Sequence, residues 1–299
     1  MTAITLTEKI YWVGAVDWTL RNFHGYTTHR GSSYNAYLIR DEKIALIDTV
    51  KSTHFDEMWQ RIKSLTDPQK IDILVCNHVE MDHSGSLPII LRLCPHIKIY
   101  ASSQGVKGLK LHYGKGLDIE EIKAGQTLSL GQTSLKFVPT PMVHWPDNMV
   151  SYCPETGILF SNDAFGQHIA STERFDNEYP GDILLEEAKK YYANIVLPYG
   201  RQVSKALSQL NGLDIKIIAP SHGIIWRNMH EQIIQAYQSW VDNQIYEKAV
   251  IIYDTMWGST ERMADALIGL FMDLGLSAVK CRLADTHISD IMTEVLDAK

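Results

Sequence analysis

Short apolar runs bounded by turn residues dominate the first half of the chain. Many of their positions are β-branched or aromatic, which is typical of strands. On this pattern we predict strands at 10–13, 33–39, 43–48, 71–76, 97–101, 133–137 and 157–161. The run at 71–76 is almost continuously apolar, as expected of a strand that is buried on both faces.

Longer segments with apolar positions three and four residues apart predict helices. These segments are 56–65, 86–93, 186–195 and 229–244. The first is followed by Asp67 and Pro68, a pair that stops a helix. Strands mixed with helices on this scale predict an α+β fold, in which two sheets pack together and helices cover their outer faces.

The composition is that of a globular protein and argues against several classes of function. The chain has 299 residues, 45% of them apolar, and a net charge of −7. The negative charge argues against binding to nucleic acid or to an anionic membrane surface. Its apolar runs fall short of the roughly 20 residues that span a bilayer. The N-terminus lacks a signal-peptide layout and the four cysteines form no CxxC pair, so we expect reduced thiols and a cytoplasmic location.

The segment NHVEMDHSG carries four potential metal ligands directly after the predicted strand at 71–76. The four are His78, Glu80, Asp82 and His83. An extended segment would project the first three to one side, because side chains alternate along a strand. His83 would follow at the start of a helix and face a second metal. Carboxylates and imidazoles beside a buried strand are costly unless they are paired, so we predict that all four bind metal.

Three further candidates, His144, Asp163 and His222, each follow an apolar, strand-like stretch. Strand ends bring loops together, so these residues can join the first four. Seven ligands exceed what one ion needs and suit two ions that share a bridging carboxylate. Asp163, which has other ligands on both sides in the sequence, is the expected bridge. The histidines without such neighbours are interpreted as surface or core residues: His29, His54, His96, His112, His168, His230 and His287.

The ligand pattern resembles that of the metallo-β-lactamase superfamily. The superfamily signature H-x-H-x-D-H has a counterpart in H-x-E-x-D-H at 78–83, where Glu80 replaces the second histidine. That replacement makes the chain similar to the flavodiiron proteins. Further stretches share this similarity, namely WVGAVDW at 12–18, HGY at 24–26, YNAY at 34–37 and YYAN at 191–194.

The resemblance implies a metallo-β-lactamase-like αββα sandwich over 1–247 that holds two iron ions. One iron would be bound by His78, Glu80 and His144, the other by Asp82, His83 and His222, with Asp163 as the bridge. Family members differ over whether the residue matching His83 binds. The same resemblance implies that His24, Trp145 and Tyr192 line the substrate pocket.

Glu80 bears on the main alternatives for function. A carboxylate is harder than an imidazole and anionic, so it favours redox-active iron over zinc. A zinc-dependent hydrolase of the same superfamily would rather keep neutral imidazoles around a metal-bound hydroxide. That hydrolase is the rival enzyme. A flavin-binding electron carrier or oxygen sensor with a degenerate metal site is the non-enzymatic alternative.

Residues 248–299 resemble the start of a flavodoxin-like domain. A predicted strand at 249–254 runs into TMWGST and then into a helix at 261–267, a layout that binds phosphate at the helix N-terminus. The loop is similar to the flavodoxin T-x-T-G-x-T loop, with Trp257 replacing the middle threonine. The similarity implies that FMN phosphate is held by Thr255, Gly258, Ser259 and Thr260, with Met256 and Trp257 near the flavin.

This α/β segment has only one further predicted strand, at 278–283, whereas a flavodoxin-like domain needs five parallel strands. Two strands leave much of the sheet uncovered. We therefore expect a truncated domain that holds FMN weakly or not at all.

The function implied by the resemblance is the reduction of O₂ to water, of NO to N₂O, or of both, by an oxidoreductase. Electrons would pass from rubredoxin, or from a flavin or rubredoxin reductase, through FMN to the two irons. A head-to-tail homodimer would set the FMN of one subunit beside the irons of its partner.

Overall fold

The computed structural model describes residues 1–123 and 125–299. The strands are β1 (Ile4–Thr5), β2 (Ile10–Trp12), β3 (Ala15–Asp17), β4 (Asn22–Phe23), β5 (Tyr26–Thr27), β6 (Ser32–Tyr34), β7 (Tyr37–Arg40), β8 (Ile44–Ile47), β9 (Ile71–Cys76), β10 (Lys98–Ala101), β11 (Ile119–Glu121), β12 (Thr127–Ser129), β13 (Ser134–Pro139), β14 (Met149–Cys153), β15 (Ile158–Asn162), β16 (Ile217–Pro220), β17 (Lys248–Tyr253) and β18 (Ser277–Arg282).

The α-helices are α1 (Phe55–Leu65), α2 (Met81–Ser84), α3 (Leu87–Leu93), α4 (Ser103–Tyr113), α5 (Gly181–Tyr191), α6 (Gly200–Leu210), α7 (His230–Val241), α8 (Ser259–Asp273) and α9 (Ile288–Val295). A π-helix at Tyr192–Val196 continues α5, and short 3₁₀ helices lie at Ser52–His54, Pro68–Lys70, Asp176–Glu178 and Leu197–Tyr199. Within the described residues, each helix is too short or too polar to cross a membrane.

Two mixed sheets face each other and enclose the central core. The larger has strand order β1-β2-β7-β8-β9-β10-β11 and the smaller β12-β13-β14-β15-β16. In β9, Ile73 and Val75 point toward the smaller sheet and meet Phe160 in the core between the sheets. Leu74, between them, points the other way into the helix-covered face. β9 is therefore buried on both sides, which explains its almost continuous apolar run.

Helices cover both outer faces of the sandwich. Apolar side chains of α1, α3 and α4 pack on the larger sheet, among them Ile62, Ile90 and Leu109. Those of α5, α6 and α7 pack on the smaller sheet, with Leu184 and Tyr237 among them. The layer order is helix, sheet, sheet, helix. The α+β sandwich predicted from the strand and helix pattern is confirmed.

The strand predicted at 33–39 is wrong as a single element, because it is divided between two sheets. β6 pairs with β3, whereas β7 pairs with β2 and β8 in the larger sheet. The break lies at Asn35, whose backbone N–H donates to the carbonyl of Ser221 at 2.7 Å. Its side chain donates to the carbonyl of Pro220 at 2.8 Å and accepts from Trp12 Nε1 at 2.8 Å. These bonds fix the loop after β16 to the larger sheet.

The helix predicted at 186–195 differs from the structure at both ends. α5 begins at Gly181, directly after Pro180, and gives way at Tyr192 to a single π-helical turn. Such turns often mark functional sites. The helix predicted at 229–244 is also too long, since α7 ends at Val241.

The segment after α7 consists of a small parallel sheet with α8 and α9, and it contacts α5 through α9 and Asp297. β17 and β18 pair in register along six residues each, and α9 contacts the π-helix through Asn194 Nδ2, which donates to the carbonyl of Ser289 at 3.0 Å. Lys190 donates to Asp290 at 2.5 Å, and Lys189 pairs with Asp297 at 2.6 Å. These ion pairs connect the segment to α5, the helix that packs on the smaller sheet.

Candidate metal centre

The seven predicted ligands converge where strands end. Asp163 follows β15 and His222 follows the next strand of the same sheet, β16, with which β15 is parallel. His144 lies in the loop between β13 and β14. The remaining four follow β9 of the larger sheet, so both sheets contribute to one cluster. All of these side chains are buried, except that of Glu80, which is partly buried.

The prediction that His78, Glu80 and Asp82 project to one side of an extended segment is wrong. The chain turns into helix α2 directly after Glu80, because Ser84 Oγ donates to the carbonyl of Val79 at 2.6 Å and closes the turn. As a result, His78 and Glu80 belong to one group of possible metal ligands, and Asp82 belongs to the other. The first group also contains His144 and Asp163, and the second contains His83 and His222.

Asp163 lies between the two groups and faces each with a different oxygen. Its Oδ2 is 3.2 Å from His144 Nε2 and 3.5 Å from His78 Nε2. Its Oδ1 is 3.1 Å from His83 Nε2 and 3.4 Å from His222 Nε2. One carboxylate is therefore oriented to serve two ions at the same time.

The spacing inside each group fits a bound cation better than a set of hydrogen bonds. Donor atoms that surround one ion at about 2.0–2.2 Å lie roughly 3–3.6 Å from one another. Glu80 Oε2 is 3.3 Å from His78 Nε2, and Asp82 Oδ2 is 3.2 Å from both His83 Nε2 and His222 Nε2.

Several ligand atoms are buried without any hydrogen-bond partner among the described residues. They are both oxygens of Asp82 and Asp163 and Nε2 of His83, His144 and His222. Buried polar atoms are normally satisfied, and leaving so many without partners would be costly. The residues present therefore fit a pair of metal ions.

Charge within the cluster outweighs the effect of burial on its pKa values. Burial raises the pKa of Asp163, but the imidazoles around it, His83 first among them, hold it well below its usual range. Burial lowers the pKa of His83, but Asp82 and Asp163 raise it to about 9. Without metal, protons on His78 and His83, whose pKa values are both raised, offset the carboxylates, and a bound cation would replace those protons.

Hydrogen bonds behind the cluster orient two of its imidazoles. His78 Nδ1 lies 2.9 Å from Asp147 Oδ2, and the same oxygen accepts from the N–H of Val79 at 2.8 Å. His222 Nδ1 lies 2.8 Å from the carbonyl of Ser33. Each contact fixes the tautomer that leaves Nε2 free to bind metal. The sequence offered no signal for Asp147 beyond its place three residues after His144.

Another buried carboxylate, that of Asp48, connects strand ends next to the cluster through hydrogen bonds. It accepts from the backbone N–H of Asn77 at 2.7 Å and from Asn162 Nδ2 at 3.3 Å. Asp48 and Asn162 both have positive φ, which their residue types tolerate better than most. These hydrogen bonds join the ends of β8, β9 and β15. Asn162, at the end of β15, directly precedes Asp163.

Comparisons with known proteins agree with this geometry. A family model described as "ODP family beta lactamase" matches residues 33–223. The nitric oxide reductase of Moorella thermoacetica is 46% identical over 99% of this chain and 75% of its own. The solved rubredoxin oxygen:oxidoreductase from Desulfovibrio gigas has a TM-score of 0.96 and 42% identity, covering 99% of this chain and 76% of that one.

A second solved structure, the flavodiiron protein from Giardia intestinalis, has a TM-score of 0.95 and 35% identity, covering 98% of this chain and 73% of that one. The chain belongs to the flavodiiron proteins. The resemblance inferred from the ligand pattern and the YNAY and YYAN stretches is thus confirmed, and the enzyme class is that of an oxidoreductase.

Two of the three predicted pocket residues of this flavodiiron protein lie beside the cluster. His24 Nε2 is 2.7 Å from Glu80 Oε1. The Trp145 ring stands edge-on to His78, 5.2 Å between centroids, and remains 37% exposed. Tyr192 lies elsewhere, because the turn of α5 directs it onto Tyr237 and Trp240, each about 5.1 Å away.

The neighbouring tyrosine occupies the position that was predicted for Tyr192. The Tyr191 ring lies 6.2 Å from that of His222 and 5.3 Å from that of His168. His168 is a buried core histidine, and its ring centroid is 4.7 Å from that of His222. The YYAN motif thus indicated the turn of α5 that lies near the cluster. The sequence alone did not show which of its two tyrosines faces the cluster.

The predicted phosphate loop of the flavodiiron chain joins β17 to the N-terminus of α8. Gly258 has positive φ and caps the helix, and its N–H donates to Thr255 Oγ1 at 3.0 Å. Ser259 and Thr260 form the first helical turn. Met256 and Trp257 project into solvent, 84% and 86% exposed. The loop has the form of an anion-binding turn, and FMN binding by its residues remains a prediction.

We expect replacement of Asp147 by asparagine to weaken metal binding about 10- to 100-fold, because the group that orients His78 loses its charge. Competition with a chelator of known affinity measures this change. Asp214→Asn, at a side chain that is 81% exposed, is the control and should leave affinity unchanged. Equal affinities of Asp147→Asn and the natural chain would show that this contact does not support the site.

Proposed function

We propose that this flavodiiron protein reduces O₂ to water, NO to N₂O, or both, at two iron ions. The ions would be held by His78, Glu80, His144, Asp82, His83 and His222, with Asp163 between them. The single observation that carries the proposal is the position of Asp163, whose two oxygens face the two groups separately. The names of two relatives, nitric oxide reductase and rubredoxin-oxygen oxidoreductase, support both substrates.

The donor set supports iron over zinc. The three carboxylates of the two groups supply three negative charges, against the four positive charges of two ferrous ions. Carboxylate oxygen is harder than imidazole nitrogen and stabilises the higher charge that iron reaches on oxidation. Glu80 adds this negative charge at the position where the superfamily signature has histidine.

The chain's own residues would prepare the site for a small gas. When bound, the two irons supply the electrons and the positions at which the gas is held. His24 fixes the orientation of Glu80 through the 2.7 Å contact, and the Trp145 ring packs edge-on against that of His78. The buried ring of Tyr191 lies 6.2 Å from that of His222.

Electrons are proposed to reach the centre through FMN, for which residues 248–299 would contribute the phosphate-binding loop, from a rubredoxin-like donor or a flavin or rubredoxin reductase. The proposed phosphate-binding residues are Thr255, Gly258, Ser259 and Thr260, with Met256 and Trp257 against the flavin. Residues 1–247 would form the diiron domain.

A head-to-tail homodimer would bring FMN of one subunit to the irons of its partner. Its support in the chain is the exposure of Met81 and Trp145, two large apolar side chains next to predicted ligands. The unpaired state of all four described cysteines supports a cytoplasmic location.

Anaerobic loading with ferrous iron, reduction, and exposure to each gas test the proposed function. We expect consumption of O₂ or NO that requires iron, and no consumption by protein loaded with zinc. Hydrolysis of thioester or lactone substrates by the zinc form, together with no gas consumption by the iron form, would contradict the proposal.

A further inference from the structure

A polar surface pocket of about 390 Å³ lies between α5 and α9, and its lining residues do not include the predicted metal ligands. Charged side chains of both signs line it, including Arg30, Glu187 and Lys190. The pocket lies where the segment of β17 and β18 docks on the sandwich.

Glu187 is the buried carboxyl of this pocket. The residue is only 9% exposed, and Arg30 Nε lies 3.2 Å from its Oε1. Its neighbour Glu186 lines the same pocket but is exposed. A buried carboxyl beside a solvent-filled pocket can exchange protons with water and still communicate with the interior.

The helical spacing of α5 leads from Glu187 toward the metal cluster. Tyr191 lies one turn further along the helix and therefore on the same face. Tyr26 lies beside this face, and Lys190 Nζ is 6.0 Å from the centre of its ring. The ring of His168 is 5.4 Å from that of Tyr26 and 5.3 Å from that of Tyr191.

These interior side chains present buried polar atoms to one another. The hydroxyls of Tyr26 and Tyr191 and Nε2 of His168 have no hydrogen-bond partner among the described residues. Buried groups of this kind are usually satisfied by ordered water, and a roomy polar site with several partners is where such water is held. A small cluster of ordered water between the two tyrosines would satisfy these atoms and continue the line from the pocket.

We propose that Glu187 receives protons from solvent in this pocket and passes them along the hydroxyls of Tyr26 and Tyr191, with water held between them, to the metal centre. The inference rests on the proposed function, because either gas reduction consumes protons: four with four electrons for each O₂ reduced to two waters, and two with two electrons for each pair of NO reduced to N₂O and water. The electrons would come from the proposed electron donor. Each proton that leaves the carboxyl is replaced from solvent, so Glu187 is unchanged after turnover.

The charges around Glu187 allow it to hold a proton. Burial raises its pKa, and the nearby cations Lys190 and Arg30 only partly oppose that rise. Glu186 on the same helix raises it further. The other charged or titratable groups of the pocket are His29, Asp290 and Glu294. The carboxyl is therefore protonated over a wider range of pH than an exposed glutamate.

Glu187→Gln is the test variant, and Glu186→Gln is its matched control on the same helix and pocket. With each chain loaded with iron and given electrons by a chemical reductant, we expect turnover of Glu187→Gln to fall about 10-fold or more and to fall further as pH rises. Iron content and the rate of metal reduction by the reductant should stay unchanged. Glu186→Gln should keep turnover near that of the natural chain and lower the titration midpoint of Glu187 only slightly, and Glu187→Asp should recover part of the loss.

Infrared spectroscopy gives a second readout that needs no turnover. The band of a protonated buried carboxyl should be present in the natural chain and in Glu186→Gln, absent from Glu187→Gln, and should titrate above the usual glutamate pKa of about 4.3. Arg30→Gln, which removes the ion pair but keeps the carboxyl, should raise that midpoint. Equal turnover of Glu187→Gln and the natural chain, or a band unaffected by Glu187→Gln, would overturn the inference. A natural chain that reduces neither gas would instead refute the proposed function.

Discussion

Replacement of Asp163 by asparagine is expected to reduce the iron content from two ions per chain to one or none, and to lower gas reduction by more than about 100-fold. Loss of a hydrogen bond that only orients a metal ligand costs about 10- to 100-fold in metal affinity or activity, and Asp163 is proposed as a direct ligand of both ions. Asparagine is neutral and offers one oxygen, whereas the carboxylate presents Oδ1 to one group and Oδ2 to the other. Elemental analysis and gas consumption measure the two effects.

Asp176→Asn is the matched control for burial. Its carboxylate is also buried, but it accepts from the backbone N–H groups of Arg227, Asn228 and Met229 at the start of α7. That variant should lose stability and keep its iron. An Asp163→Asn protein that retains two irons per chain would show that the bridge is supplied by another group.

Replacement of Glu80 by histidine, which restores H-x-H-x-D-H, is expected to turn metal preference from iron toward zinc. The change removes one negative charge from the cluster and the 2.7 Å contact with His24. Imidazole suits zinc, and the lost carboxylate stabilised the more highly charged state of iron. We expect reductase activity to fall by about 100-fold or more, the loss that follows when ligand geometry and charge are both disturbed.

Competition between ferrous iron and zinc for the metal-free chains tests this expected change in metal preference. Metal-free Glu80→His and natural chains are mixed anaerobically with equal ferrous iron and zinc, and the bound ratio is measured by mass spectrometry. Glu80→Asp keeps the carboxylate and serves as the control, with a ratio near that of the natural chain. An unchanged iron-to-zinc ratio in Glu80→His would show that Glu80 does not determine the preference for iron over zinc.

Much of the site could be predicted because buried charge is conspicuous next to an apolar strand. The run of β9 is bounded by turn residues and ends where His78 begins the ligand segment. Asp163 and His222 follow neighbouring parallel strands, whose ends necessarily meet. In each case a local pattern in the sequence specified both the element and the chemistry at its end.

Other features depend on contacts that are distant in sequence. The break at Asn35 exists because its amide reaches Pro220 and Gly223, and nothing in the local apolar pattern marks it. The contact between Asp147 and His78 joins residues 69 positions apart. Such hydrogen bonds become visible only when the sheets are assembled.

The choice between Tyr191 and Tyr192 has a geometric cause. Adjacent residues on a helix point about 100° apart, so only one of the pair can face the cluster. The sequence YYAN does not reveal which, because the rotation of α5 is set by how Leu184 and Ala188 pack on the smaller sheet. Tyr191 therefore lies beside His222, whereas Tyr192, the residue that was predicted, packs against Tyr237 and Trp240.

X-ray absorption at the iron edge, on anaerobically loaded protein whose metal content is counted first, tests the central claim most directly. Two irons joined by Asp163 predict two ions per chain and iron–iron scattering at roughly 3.5–4 Å, with both features lost in Asp163→Asn. A single iron per chain, or two irons without mutual scattering, would contradict the account.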